Sequence, residues 1–212
     1  MNFNPVIRGA KRAANDEASV YEILDAGFLC HVAFQHEGQT LMIPTAYGRS
    51  GSGLYLHGSA KNFMLNQIVN GQTVCISVTH LDGIVLARTL FDTSVNYRSV
   101  VLFGKADLIS DESERMHGLK VITENIIKGR WDEVPVGDTN QLKATMVVKF
   151  EIETASAKIR NEGPKGDDTV THEAWSGHIP LVTTASTPIP DEKFGKILPL
   201  SESVKNFVAE HQ

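Results

Sequence analysis

From Phe28 to Gln35 the chain alternates. Phe28, Cys30, Val32 and Phe34 fall on one side, and Leu29, His31, Ala33 and Gln35 on the other. A period of two is the mark of an extended strand, and its recurrence along the chain restricts the fold to one dominated by sheet. Glu37-Gly38 supplies a turn, and Leu41 to Tyr47 is a second extended run with Pro44 inside it. Proline has no N–H to give to a ladder, so that strand lies at an edge or carries a bulge, where something other than a strand can approach. Arg49 to Gly53 reads as a glycine-rich connection to a short strand, Leu54 to His57. Thr73 to Leu81 is strongly β-branched. Asp82-Gly83 then predicts a hairpin, with Ile84 to Leu90 returning antiparallel. Ser99 to Ile109 and Thr145 to Ile152 are two further long strands.

Helices are few. Asn15 and Asp16 offer caps to a helix in which Val20, Ile23 and Leu24 repeat at helical spacing, and Gly27 stops it. Gly58-Ser59 opens a second helix from about Ala60 to Val69, and Asp111-Glu112 a third that runs to about Ile127. Ser201 to Glu210 is amphipathic. Residues 1–14, polar and basic (Arg8, Lys11, Arg12), read as an N-terminal arm. Residues 15–182 read as the folded domain, and 183–212 as an irregular extension that packs on the body or on a partner subunit. Six or seven mostly antiparallel strands with short helices in the connections predict a mainly β fold with α: a small split β-barrel with helical caps.

Composition excludes several classes. An apolar content of 42% supports a core and rules out a disordered chain. With 20 Lys and Arg against 25 Asp and Glu, the net charge of -5 lacks the broad basic face that nucleic-acid binding needs. No apolar run approaches the ~20 residues of a membrane span. Met1 to Pro5 shows no signal-peptide start. Cys30 and Cys75 both sit in apolar strands, which predicts reduced, buried thiols in a cytoplasmic protein.

Among the eight histidines, His31, His36, His57, His80, His117, His172, His178 and His211, no close ligand spacing occurs, so no metal site is expected. No nucleophile elbow or dinucleotide-binding glycine pattern exists. One stretch suits an anion. His57-Gly58-Ser59-Ala60-Lys61-Asn62 joins a strand to a helix start, where glycine admits a ligand, Ser59 and free N–H groups can donate, and Lys61 adds charge. The same residues also make an ordinary serine-capped turn. Arg88 and Arg98 each stand in or beside an apolar strand, so each guanidinium needs a partner. A carboxylate such as Asp92 would serve, and so would a bound phosphate or the polar edge of a heterocycle.

Seven segments in order resemble the flavin-nucleotide-binding proteins related to pyridoxamine 5'-phosphate oxidase, of the FMN-binding split-barrel fold. They are Cys30-His31-Val32-Ala33-Phe34, Ile43 to Gly48, Leu54 to Ser59, Asp82 to Arg88, Asn96 to Val100, Ser156 to Arg160 and Trp175 to Leu181. The resemblance implies a homodimer with FMN at the subunit interface. Met42, Ile43, Pro44 and Thr45 would run beside the isoalloxazine ring. His57, Gly58 and Ser59, with Lys61 and Asn62, would take the phosphate. Arg98 and Ser99 would contact the flavin, and Trp175 would come over the site. Where relatives carry an arginine after the turn this chain has Phe63, so Lys61 or Arg88 would supply the charge.

The function implied is that of an FMN-dependent oxidoreductase acting on a small molecule, a nitroimidazole-reductase-like activity being one variant. No side chain is assigned as catalytic, although His31 or His57 could position a substrate. The arginine- and histidine-rich C-terminal clamp of true pyridoxamine phosphate oxidases is missing, so synthesis of pyridoxal phosphate is not expected. The alternative is a non-enzymatic module that stores or senses flavin or haem, with a pocket histidine on the iron.

Overall fold

Alternating apolar residues bury one face of each strand, and a sheet with one buried face must curl around its own core. The computed structural model describes residues 1–7, 9–165 and 173–212; Arg8 and His172, named above, lie outside them. In chain order the strands are β1 (Asn2–Phe3), β2 (Ala13–Ala14), β3 (Leu29–His36), β4 (Gln39–Ala46), β5 (Gly48–Ser50), β6 (Gly53–Ser59), β7 (Val74–Leu86), β8 (Ser94–Leu108), β9 (Thr145–Arg160) and β10 (Gly177–Pro180). The α-helices are α1 (Glu17–Asp25), α2 (Phe63–Ile68), α3 (Glu112–Ile126), α4 (Thr139–Lys143) and α5 (Glu202–Glu210).

Among the described residues all ten strands belong to one sheet, whose main path runs β4-β3-β7-β8-β9-β6-β5. The path does not close on itself, as in a split barrel, and β4 lies at one edge, where Pro44 sacrifices no ladder bond to a further strand. Inside, Val32, Leu56, Ile76, Leu102 and Phe150 are fully buried. Val20, Ile23 and Leu24 of α1 and Met64, Leu65 and Ile68 of α2 plug the core. Each such side chain contributes about 1.5–3 kcal/mol by leaving water. On the other side of β6, α3 packs Ile122 against Tyr55 and Val147.

Several expectations change. Asp82-Gly83 is not a hairpin: β7 runs straight through it as a strand of 13 residues, with a bulge between Leu81 and Gly83. Two things hold the chain extended there. Asp82 accepts a bidentate hydrogen bond from Arg98, and β10 adds beside Gly83 to Leu86. A Cβ at Gly83 would lie 2.9 Å from the Ile179 carbonyl oxygen, so glycine serves close approach, not a turn. The second helix starts later than its glycine suggested: β6 continues through Ser59, and α2 begins at Phe63 with Asn62 as its cap. In the arm β1 and β2 both pair with β9, and β8 and β9 reach further than their apolar cores, to 15 and 16 residues.

Candidate functional site

Register sorts the expected site residues by face. Partners across a ladder share a side of the sheet. Ala33 pairs with Met42 and His31 with Pro44; His31 also pairs with Ser77. Ser77 pairs with Val101, Thr79 with Ser99 and Leu81 with Tyr97, while Ser99 and Tyr97 pair onward with Lys158 and Arg160. Met42, Pro44 and Ser99 therefore stand together on the outward face of a five-strand wall. Their chain neighbours Ile43, Thr45 and Arg98 point to the inward side, which is lined by Cys30, Val32, Val78 and Val100.

The outward face is mixed, and its large apolar side chains are exposed among His31, Ser77, Thr79, Ser99 and Lys158. Leu29, Met42, Leu81 and Phe103 are 53%, 62%, 53% and 37% exposed. Exposed large apolar side chains on a sheet face, rimmed by polar ones, suit a binding surface. The extension beyond β10 is equally bare, with Val182, Ile189 and Ile197 largely in solvent.

Arg98 is occupied. Its Nε and Nη2 donate to Asp82 at 3.0 and 2.9 Å, and that pairing raises its pKa. Asp92 binds Thr89 instead. Arg88 is half-buried and has interactions of its own just past the end of β7. Trp175 is 65% exposed and precedes β10, its ring lying where a Gly177 Cβ would be.

The turn after β6 is already satisfied from within. The N–H groups of Ala60, Lys61 and Asn62 donate to the Ala144 carbonyl, the Ser59 hydroxyl and the Ser59 carbonyl. The Leu65 N–H goes to the Asn62 side chain. The free donors read from the sequence are thus mostly spent, and Lys61 stands exposed in solvent. Gly58 faces Asn62 and Leu65, where a Cβ would be tight at 3.1–3.2 Å.

His57 points away from this turn's inner side. It lines a cavity of about 260 Å³ between β6, α3 and α4, walled by Trp131, Val134, Val136 and Leu142. Its Nδ1 is buried with no hydrogen-bond partner among the described residues, and burial pushes its pKa below the usual imidazole value. Burial raises the Cys30 thiol to about 12, which makes it inert, and raises Cys75 as well. Among the described residues no group of three or more potential ligands could hold a metal ion.

One feature escaped sequence reading. The arm and the ends of β8 and β9 enclose a cavity of about 730 Å³ lined by Lys11, Arg12, Tyr97, Lys158, Glu162 and Lys165. Its signal was divided between a basic arm and a Lys158-Ile159-Arg160 strand end about 150 residues apart.

An open, curled antiparallel sheet with an edge proline and an uncovered outer wall defines a split-barrel protein. Residues 16–159 match the family model described as pyridoxamine 5'-phosphate oxidase. The chain belongs to that family. It is similar to the structure of the flavocytochrome Anf3 from Azotobacter vinelandii, at 32% identity over 95% of this chain and 94% of that one, with a TM-score of 0.88. It is also similar to the FAD and heme binding protein from Mycobacterium smegmatis, at 30% identity over 92% and 97%, with a TM-score of 0.87. A FAD-binding protein from Mesorhizobium loti shares the fold at 17% identity, over 71% and 98%, with a TM-score of 0.51. No curated protein matches the sequence.

Proposed function

We propose that this chain binds a flavin nucleotide on the outward face of its sheet, as a homodimer, and serves as an oxidoreductase for a small molecule. The observation that carries the reading is the shared face of Met42, Pro44 and Ser99, beside an open sheet edge, on which large apolar side chains stay exposed. A planar, amphipathic ring fits such a wall: apolar side chains cover its face, and Ser99 and backbone groups meet its polar rim. The two relatives at 30% and 32% identity, one a flavocytochrome and one a FAD and heme binding protein, support flavin as the ligand.

A bound flavin supplies the electron transfer itself. The chain's part is to seat the ring, to exclude water from one side and to leave the other open. Pro44 offers no N–H and so keeps a further strand from pairing there. Arg98 acts at one remove, because its bond to Asp82 fixes the bulge that carries Ser99 and Tyr97 past β7. A second copy laid on this wall would cover Leu29, Met42, Leu81 and Phe103, and the bare extension from Val182 to Leu200 would strap across it with Trp175. FMN is the flavin nucleotide that the resemblance to the family implies, and its ring, ribityl chain and phosphate are common to FMN and FAD.

A haem is the second reading, favoured by His57. Burial favours the neutral imidazole, the form that ligates iron, and most of the walls around it are apolar. At about 260 Å³ the cavity is smaller than ordinary ligand pockets of ~300–1,000 Å³, so only a porphyrin edge would enter. The absorption spectrum of the protein as purified, with mass spectrometry of what heat releases, separates the readings. Flavin bands bleached by NAD(P)H without oxygen support the oxidoreductase. A Soret band lost in His57→Ala supports haem, and flavin that resists every reductant removes the enzyme.

A further inference from the structure

The cavity between the arm and the sheet gathers cations. Among the described residues, Lys11, Arg12, Lys158 and Lys165 line it with Glu162 as the one carboxylate, in a protein whose net charge is -5. That carboxylate is shared: Arg12 Nη2 lies 3.6 Å and Arg160 Nε 3.9 Å from its Oε2. Arg160 is only 3% exposed. Its Nη1 donates to Asn96 Oδ1 at 2.5 Å, while its Nε has no hydrogen-bond partner among the described residues. A buried guanidinium with an unsatisfied donor is costly, and clustered cations repel unless an anion joins them. A smaller cavity beside the first shares Arg12 and Lys165 and adds Arg160 and Phe91, whose ring is 96% exposed.

We propose that these joined cavities take the diphosphate of a dinucleotide. Five cations exceed what one phosphate monoester needs, and the volume of about 730 Å³ lies within the ~300–1,000 Å³ that hold sizeable ligands. Tyr97 and Phe91 offer ring faces for a purine at either end of the charged floor. The turn after β6 competes poorly for this role, since most of its donors are spent internally. Two molecules carry the required group. One is the flavin itself as FAD, since Lys158 and Tyr97 stand on the outward face beside Ser99. The other is a separate nicotinamide dinucleotide acting as electron donor. The FAD arm rests on the flavin reading, whereas the diphosphate site does not.

The test is calorimetric titration of the full-length protein with ADP, FAD, FMN and NADH, in the native chain and in the double variant Arg12→Gln/Lys158→Gln. Both side chains are surface-facing, and thermal melts by circular dichroism confirm that the variant folds. A singly altered variant, Lys158→Gln, stands in if the double one does not. ADP should bind the native chain and lose roughly tenfold or more in the variant, about 1.4 kcal/mol. FAD falling with ADP while FMN holds identifies the flavin's own tail. NADH falling while both flavins hold identifies the donor. If ADP and both dinucleotides bind the variant as they bind the native chain, or if none of them binds the native chain, the proposal is overturned. Equal loss for FMN also overturns it, since the cavity then takes a single phosphate. If neither flavin binds yet ADP does and is lost in the variant, the site stands and the flavin reading falls.

Discussion

The two faces of the wall made by β3, β4, β7, β8 and β9 are written in the same strands and differ in almost everything else. Inward, Val32, Ile76, Val100 and Leu102 are completely buried against α1 and α2. Outward, one residue along, Leu29, Met42, Leu81 and Phe103 remain between 37% and 62% exposed, among serines, threonines and a lysine. One face is finished by the chain itself and is where folding free energy resides. The other is left for something the single chain does not contain, and under the proposed function that is a flavin and a second copy.

Adjacent residues on β8 offer the sharpest way to break this contrast. Leu102→Ala should cost about 2–5 kcal/mol in chemical denaturation, through lost burial and a cavity. A cost below about 1 kcal/mol would mean that the inward face is not the core. Phe103→Asp should cost the dissociated chain less, about 1 kcal/mol, since that residue keeps 37% of its surface in solvent. It should weaken self-association at least roughly tenfold in sedimentation experiments. Unaltered association would free the outward face from any role in a dimer.

Arg98→Ala tests the join between the faces. Loss of its pairing with the half-exposed Asp82 should cost around 1 kcal/mol of stability. Flavin affinity, read by fluorescence quenching, should fall by less than about tenfold because the guanidinium is already occupied. A larger fall in affinity than in stability would place Arg98 on the ligand directly.

How far these features could be read from residues alone follows the same division. Alternation located β3 and the cores of β7, β8 and β9 because each inward position is apolar, and Pro44 marked the edge. The Asp82-Gly83 pair misled because a dipeptide suited to a tight turn is also suited to a bulge. What decided between them was Arg98 and the approach of Ile179, both distant in sequence. His57 was legible as part of a turn, but the cavity beside it depends on how α3 and α4 fold back over β6. The cationic cavity was hidden for a comparable reason, since pairing of β2 with β9 is what brings Lys11 and Arg12 to Lys158.

The smallest expected effect concerns the extension. Glu133 accepts from the Ser203 N–H at 2.8 Å and from the Ser203 hydroxyl, which tethers α5 to the segment after α3 and holds the Glu133 pKa down at about 2. A folded-state pKa below the unfolded value means the tether contributes fully above the ordinary carboxylate range. It is lost as pH falls from 4.5 toward about 2. Hydrogen exchange in α5 should therefore quicken only in that acid window, and Glu133→Gln should bring the faster exchange to neutral pH. Exchange independent of pH across the window would detach α5 from Glu133.

Completion of the bare outward face by a second copy and a flavin can be read from light scattering coupled to absorption during size exclusion. The expected particle has twice the 23.2 kDa chain mass and carries flavin absorbance in proportion to protein. A well-folded particle of single-chain mass that passes through added flavin without retaining any would contradict it.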